Sequence, residues 1–147
     1  MRKPPIDPDQ EKFLIKRTED ILHEHPELRP LLDMLLTMAG KYAVLPVVEE
    51  DLPSLLKKGR FYPGKGARTM PGAPSQCHRN VSRLWEANKK LVAIFTGYAL
   101  SSDGIWRQHS WGYVRLFDRI IETTERRTLY FGFRLTREEA KQFAEDN

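Results

Sequence analysis

Apolar residues recur at helical spacing in the first part of the chain and at strand spacing in the last. Leu28, Leu31, Leu32, Leu35, Leu36 and Ala39 fall at i, i+3, i+4, i+7, i+8 and i+11, which predicts a helix buried along one side. Pro30 suits its first turn and Gly40 its C-terminal stop. Ahead of it, Phe13, Leu14, Ile21 and Leu22 share one side of a helix expected over about residues 8–25, capped by Asp7 or Asp9 and ended by Pro26. The two helices are expected to pair antiparallel over an apolar surface. Residues 42–48 read as a short extended piece that Pro46 confines to an edge or a loop. Residues 51–58 read as a short helix with Pro53 in its first turn and Gly59 past its end.

The pattern breaks at Arg60. Residues 60–74 hold Pro63-Gly64, Lys65-Gly66, Pro71-Gly72 and Pro74, with Arg60, Lys65 and Arg68 among them, and read as a basic loop. A loop this long inside a domain points to a functional role, such as a lid over a site. Gly64-Lys65-Gly66 lacks the spacing and the Ser/Thr of a phosphate-binding loop. A helix is expected from Cys77 to about Lys90, with Val81, Leu84 and Trp85 inward. Strand signals follow at 91–100 and 105–114, joined by the hairpin turn Ser101-Ser102-Asp103-Gly104. Asp118-Arg119 turns the chain into a third strand over 119–124. Tyr130 to Leu135 makes a fourth strand or a stretch laid across the sheet. Thr136-Arg137-Glu138-Glu139 is a capping box for a closing helix. The expected fold is therefore α+β: N-terminal helices, a helix opened by Cys77 on a three- to four-stranded antiparallel sheet, and a C-terminal helix.

Composition narrows the class without naming a function. At 147 residues the chain is expected to be one domain, with residues 1–8 as a loose lead-in. No apolar run approaches the roughly 20 residues that span a bilayer. Met1-Arg2-Lys3-Pro4-Pro5 runs into polar sequence, so neither a secretory signal nor a membrane partner is expected. The single cysteine excludes an internal disulfide and suits the cytoplasm. A formal charge of +4 is spread among 20 acidic residues, which favours a solvated mixed-charge surface over a nucleic-acid face. His23 and His25, two apart on a helix, point in different directions and read as surface residues.

The candidate chemistry gathers around that cysteine. Cys77 falls where a helix should begin, capped by Ser75 or Gln76, and the unpaired N–H groups there favour a thiolate. His109 shares a strand face with Ile105, Arg107 and Trp111, and can act as the base that a cysteine nucleophile needs. Glu122, or Asp118 at the turn before it, can orient the imidazole. Gln76 and the helix N–H groups can hold an oxyanion. Against this stand plainer roles: a buried small hydrophobe for Cys77, a packed histidine beside Trp106 and Trp111, and a solvent-facing Glu122 on an alternating strand. Asn80, one helical turn after Cys77, reads as structural. Zinc held by Cys77, His78, His109 and Glu122 is disfavoured, since adjacent Cys-His is not a usual ligand spacing, and no cofactor is expected. His78 beside the thiol is a second acid or base candidate, although on a helix it should project to a different side.

The order of cysteine opening a helix, histidine on the next strand and acid on the strand after resembles the papain-like and transglutaminase-like cysteine enzyme superfamily. The likeness covers about residues 70–135 and is one of topology, since the Cys-Gly-Ser-Cys-Trp run of papain relatives is absent. It implies Cys77 as nucleophile, His109 as base and Glu122 as the orienting residue. The expected function is then a cysteine-dependent hydrolase or acyl transferase acting on an amide or thioester bond of a protein or small molecule. Arg68, Trp106, Arg107 and Trp111 are its expected substrate contacts, and the basic loop favours an acidic substrate. The alternative is a non-enzymatic module binding nucleic acid or a nucleotide-like ligand through Trp106, Arg107, Trp111, Tyr113 and Arg115. An interaction protein, such as an inhibitor without chemistry of its own, is a third reading.

Overall fold

The computed structural model describes residues 4–147; of the lead-in expected to be loose, residues 1–3 lie outside the described residues. Helix α1, Pro8–Glu24, begins where Asp7 accepts hydrogen bonds from the N–H groups of Asp9 and Gln10, and the Gln10 side chain accepts from Asp7 in return. Leu14 and Ile21 are buried as the pattern requires. Phe13, placed with them by periodicity, is instead 70% exposed, because α1 buries only a narrow stripe. A short 3-10 turn, Pro26–Leu28, leads into α2, Arg29–Met38, whose Leu31, Leu32 and Leu35 are buried. Gly40 ends it with φ +85, and a Cβ there would lie 2.9 Å from Leu100 and from Trp106, so both conformation and space require glycine.

The sheet is larger than the pattern predicts, and mixed rather than antiparallel. Strand β1, Tyr42–Ala43, pairs parallel with β5. Helix α3, Leu52–Lys58, follows. Residues 60–74 are not one loop: β2, Arg60–Pro63, pairs antiparallel with β7, and β3, Arg68–Thr69, pairs parallel with β6. Both strands are too short and too punctuated by proline and glycine to show an alternation of their own. Helix α4, Cys77–Ala87, is three residues shorter than expected. Strands β4, Val92–Leu100, and β5, Ile105–Val114, form the expected hairpin. A 3-10 turn, Arg115–Phe117, precedes β6, Arg119–Glu122. Strand β7, Leu129–Arg134, lies inside the sheet between β2 and β4 rather than across it. The strand order is β2-β7-β4-β5-β6-β3, with β1 on β5. Helix α5, Arg137–Asp146, starts at the Thr136 capping box.

Alternation along β5 divides the core in two. Trp106 faces the helices, in a cluster with Leu31, Leu35, Val81, Trp85, Tyr98 and Phe131. Its Nε1 donates to the carbonyl of Ala39 at 2.9 Å, and truncating so buried a ring costs about 3–5 kcal/mol. Trp111 faces the other way, with Phe95, Ala99, Ile120 and Tyr130. Among the described residues no helix contributes to that cluster. Instead Tyr62 of β2 and Ile120 of β6, from opposite ends of the sheet, meet in the same cluster, so the sheet curls over its own face. Gly97 and Gly132, paired across β4 and β7, permit the bend: a Cβ on Gly132 would lie 2.7 Å from the Trp111 ring. All nine residues of β4 are buried, as a central strand covered on both faces must be.

Candidate active site

The ladder leaves one stretch of β5 free on one side. Strand β1 pairs with Ile105 and Trp106, and β6 with residues 112–114, so between them the edge of β5 has no strand partner. The start of α4 comes up to this gap. Ser75 turns the chain with φ +59, Gln76 is the N-cap residue, and Cys77 is the first helical residue. The first helical hydrogen bond runs from Asn80 N–H to the Gln76 carbonyl, so the N–H groups of residues 77–79 have no partner within the helix.

Asn80 fixes the approach to the helix. Its Oδ1 accepts from Ala73 N–H at 3.2 Å and its Nδ2 donates to the Ala73 carbonyl at 2.9 Å. Met70 N–H and Gly72 N–H in turn donate to the carbonyls of Glu122 and Thr123, both at 2.8 Å. The segment before Cys77 is therefore strapped to the end of β6. Gly72 is needed there, because a Cβ would lie 2.5 Å from the Asn80 side chain. Asn80 is thus structural, as expected.

His109 and Glu122 face each other beneath the thiol. His109 Nε2 lies 2.8 Å from Glu122 Oε1 and 3.1 Å from Oε2, and both side chains are buried. The imidazole shares the cleft with Cys77 and acts to lower its thiol, and with Nε2 on Glu122 the ring nitrogen left over is Nδ1. Trp111 stacks on the ring, with centroids 6.1 Å apart and planes at 23°. Glu122 accepts three further bonds: from Tyr130 O–H at 2.6 Å, and from Thr124 N–H and Oγ1, both at 2.9 Å. Glu122 is fully buried, contrary to the solvent-facing role that strand alternation assigns it, because the curl of the sheet turns its side inward.

These contacts set the charges. Burial pushes the Glu122 carboxyl up, but His109, Tyr130 and Thr124 together hold it down at about 2. Burial lowers His109, yet its bonds to Cys77 and Glu122 outweigh that and raise it above the ordinary 6.5. Burial raises the Cys77 thiol, and hydrogen bonds with His109 and His78 bring it down to about 5. The arrangement favours a thiolate–imidazolium pair at neutral pH, backed by a carboxylate.

A cleft of about 670 Å³ opens on the thiol, walled by Pro71, Pro74 and Ser75 on one side and by Arg107, Gln108, Thr124 and Arg127 on the other. The other residues singled out from the sequence divide around it. Arg107 lines the cleft and pairs with Asp103 through two hydrogen bonds of 2.7 and 3.2 Å. Gln76 is exposed, makes no side-chain cap and does not line the cleft. Trp106 and Trp111 are fully buried, so neither ring is a surface contact and the expected aromatic-basic sheet face is not exposed. Arg68 sits on β3 beside a different groove, and neither Arg60 nor Lys65 lines the cleft, so the basic loop gives it no acidic preference. Asp118 accepts from Tyr113 O–H and takes no part with His109. His78, expected to project away, turns inward to hydrogen-bond Ser110 Oγ at 2.7 Å and acts with His109 to lower the thiol.

Residues that sequence reasoning missed stand behind the three. Tyr130 and Thr124 hold Glu122, and Arg127 places its Nε 3.9 Å from the same carboxylate. Gln108 presents an amide at the cleft and donates to Glu49 at 3.2 Å. Only Thr124, two residues beyond Glu122, had a local signal, since a threonine at that spacing can close a turn on a carboxylate. Among the described residues no group of three or more His, Cys, Asp or Glu is arranged to hold a metal ion, and no helix is long and apolar enough to cross a membrane. No protein-family model, curated protein or solved structure matches the chain.

Proposed function

We propose that the protein is a cysteine-dependent hydrolase or acyl transferase that acts on an amide or thioester carbonyl through Cys77, His109 and Glu122. One observation carries the reading: the buried imidazole of His109, on the same cleft as the Cys77 thiol, hydrogen-bonds the fully buried Glu122 through Nε2. A structural cysteine needs neither partner. The arrangement also supports the likeness to papain-like enzymes, with Glu122 in the orienting place.

The Cys77 thiolate attacks the carbonyl carbon and the π electrons move onto oxygen. The unpaired N–H groups at the start of α4, joined by the Gln108 amide at the cleft wall, stabilise that oxyanion. Gln108 takes the part first given to Gln76. The imidazolium of His109 then gives its proton to the leaving nitrogen or sulfur as its bond to carbon breaks, leaving an acyl-thioester on Cys77. Water or an amine next loses a proton to His109 and attacks the thioester, which returns the thiolate. Glu122 stays ionised throughout and fixes the histidine tautomer. The cleft walls carry charges of both signs and no large apolar side chain, which suits a polar acyl group.

The test is acylation. Incubation with 4-nitrophenyl acetate should release a burst of one nitrophenolate per protein and leave one acetyl group on Cys77, read by intact mass and peptide mapping. Cys77→Ala should show neither while remaining folded. Acetylation spread over lysines and unchanged in Cys77→Ala would sink the mechanism.

A further inference from the structure

A second depression, of about 760 Å³, lies between the C-terminal end of α4 and the outer strands β6 and β3. Its floor includes Val92 and Ile121, and its rim Met70, Leu91 and Phe117, which are 48%, 58% and 71% exposed; Leu116 beside Phe117 is 76% exposed. Large apolar side chains gathered on a surface in this way mark an interaction site. The segments that form the groove, residues 68–70, 88–92 and 114–121, hold Arg68, Lys89, Lys90, Arg115 and Arg119 against one acid, Asp118. None of the five cations is in an ion pair among the described residues. Asp118 already accepts from Tyr113. The local excess of four positive charges equals the formal +4 of the whole chain, so the rest of the sequence sums to zero.

We propose that this groove docks an acidic polypeptide segment anchored by an apolar side chain. The concavity is of a size that receives side chains. Strand β3 is the last in the sheet, so its outer edge offers backbone groups of the kind that capture an extended segment. Arg68 and Arg119, which line the groove, give charge complementarity, and the lysines and arginine beside it steer encounter. A flat bilayer would meet Leu116 and Phe117 but leave the floor and the strand edge unused. Nucleic acid would find a single ring, Phe117, on which to stack. None of the residues lining this groove lines the cleft at Cys77, and the docking proposal does not rest on the catalytic reading.

The experiment is fluorescence anisotropy with a labelled peptide in which Glu alternates with Leu and Phe, compared with the same peptide carrying Gln for Glu. The acidic peptide should bind and weaken at least about tenfold between roughly 50 and 300 mM salt. The Arg68→Glu/Arg119→Glu variant should lose at least about tenfold, and Phe117→Ser several-fold, while Cys77→Ala binds as wild type does. These positions are exposed, so the variants should keep the wild-type urea midpoint. Equal binding of the Gln peptide, or an undiminished double variant, would overturn the proposal. So would a preference of the same residues for phosphatidylserine vesicles or single-stranded DNA, or a dimer in sedimentation that Arg119→Glu abolishes.

Discussion

Two imidazoles act to lower the Cys77 thiol, and the groups behind them differ. His109 is backed by Glu122, a fully buried carboxylate that three neutral donors, Tyr130 O–H and the two Thr124 groups, hold in place. His78 is half-buried and is backed by Ser110, whose hydroxyl passes on to Thr96 at 2.8 Å. A hydroxyl can orient a ring, but only the carboxylate brings a full charge. Two unit charges 4 Å apart at a protein dielectric near 20 interact by about 4 kcal/mol, several times the net worth of a neutral hydrogen bond. Nearness to the thiol is therefore not what separates the two rings. What stands on the far side of each ring decides how strongly a charge on it is supported.

The largest effect should come from removing the carboxylate-backed ring. In His109→Ala, the midpoint of iodoacetamide alkylation against pH should move from near 5 to above about 8, since burial is then opposed only by His78 and the helix start. A midpoint that stayed near 5 would show that His78 and the helix start suffice, and the contrast between the two rings would collapse. Glu122→Gln comes next and is read in stability. It removes one member of a buried pair, so urea denaturation near pH 7 should show a loss of roughly 3 kcal/mol. The sign with pH follows from the depressed carboxyl. Its contribution is complete above the ordinary 4.5 and fades as pH falls toward about 2. Wild type should lose that increment of stability over this interval, and Glu122→Gln should not. Parallel acid profiles for the two proteins would mean that the carboxylate is not the charged partner.

Much of this was legible from local pattern, and the rest was not for identifiable reasons. The Leu28–Ala39 stripe, the Asp103-Gly104 turn and the Thr136 capping box announce their elements because each rests on contacts within a few residues. Strands β2 and β3 do not, since they exist only by pairing with β7 and β6. The order of Cys77, His109 and Glu122 along the chain was readable, while Tyr130, brought to Glu122 from another strand, was not. Trp106 and Trp111 misled in an instructive way. Their spacing on β5 put them on opposite faces, which is correct, but each face turned out to be core, because the sheet curls over the one that no helix covers. A sheet bent at Gly97 and Gly132 cannot be inferred from alternation, which reports sides and not curvature.

The smallest effect sharpens the comparison most. Ser110→Ala removes the hydroxyl behind His78 and leaves both rings in place. It also strands Thr96 Oγ1, which bonds Ser110 in the buried interior, so stability should fall by about 1 kcal/mol. The alkylation midpoint should rise only slightly, far less than in His109→Ala, because no full charge is lost beside the thiol. A hydroxyl kept as Ser110→Thr should hold both readings near wild type if the hydroxyl alone matters. A midpoint shift in Ser110→Ala as large as that in His109→Ala would mean that a neutral partner does for a ring what a carboxylate does. His78 would then share the role of base, and the two sides of the thiol would be alike in kind.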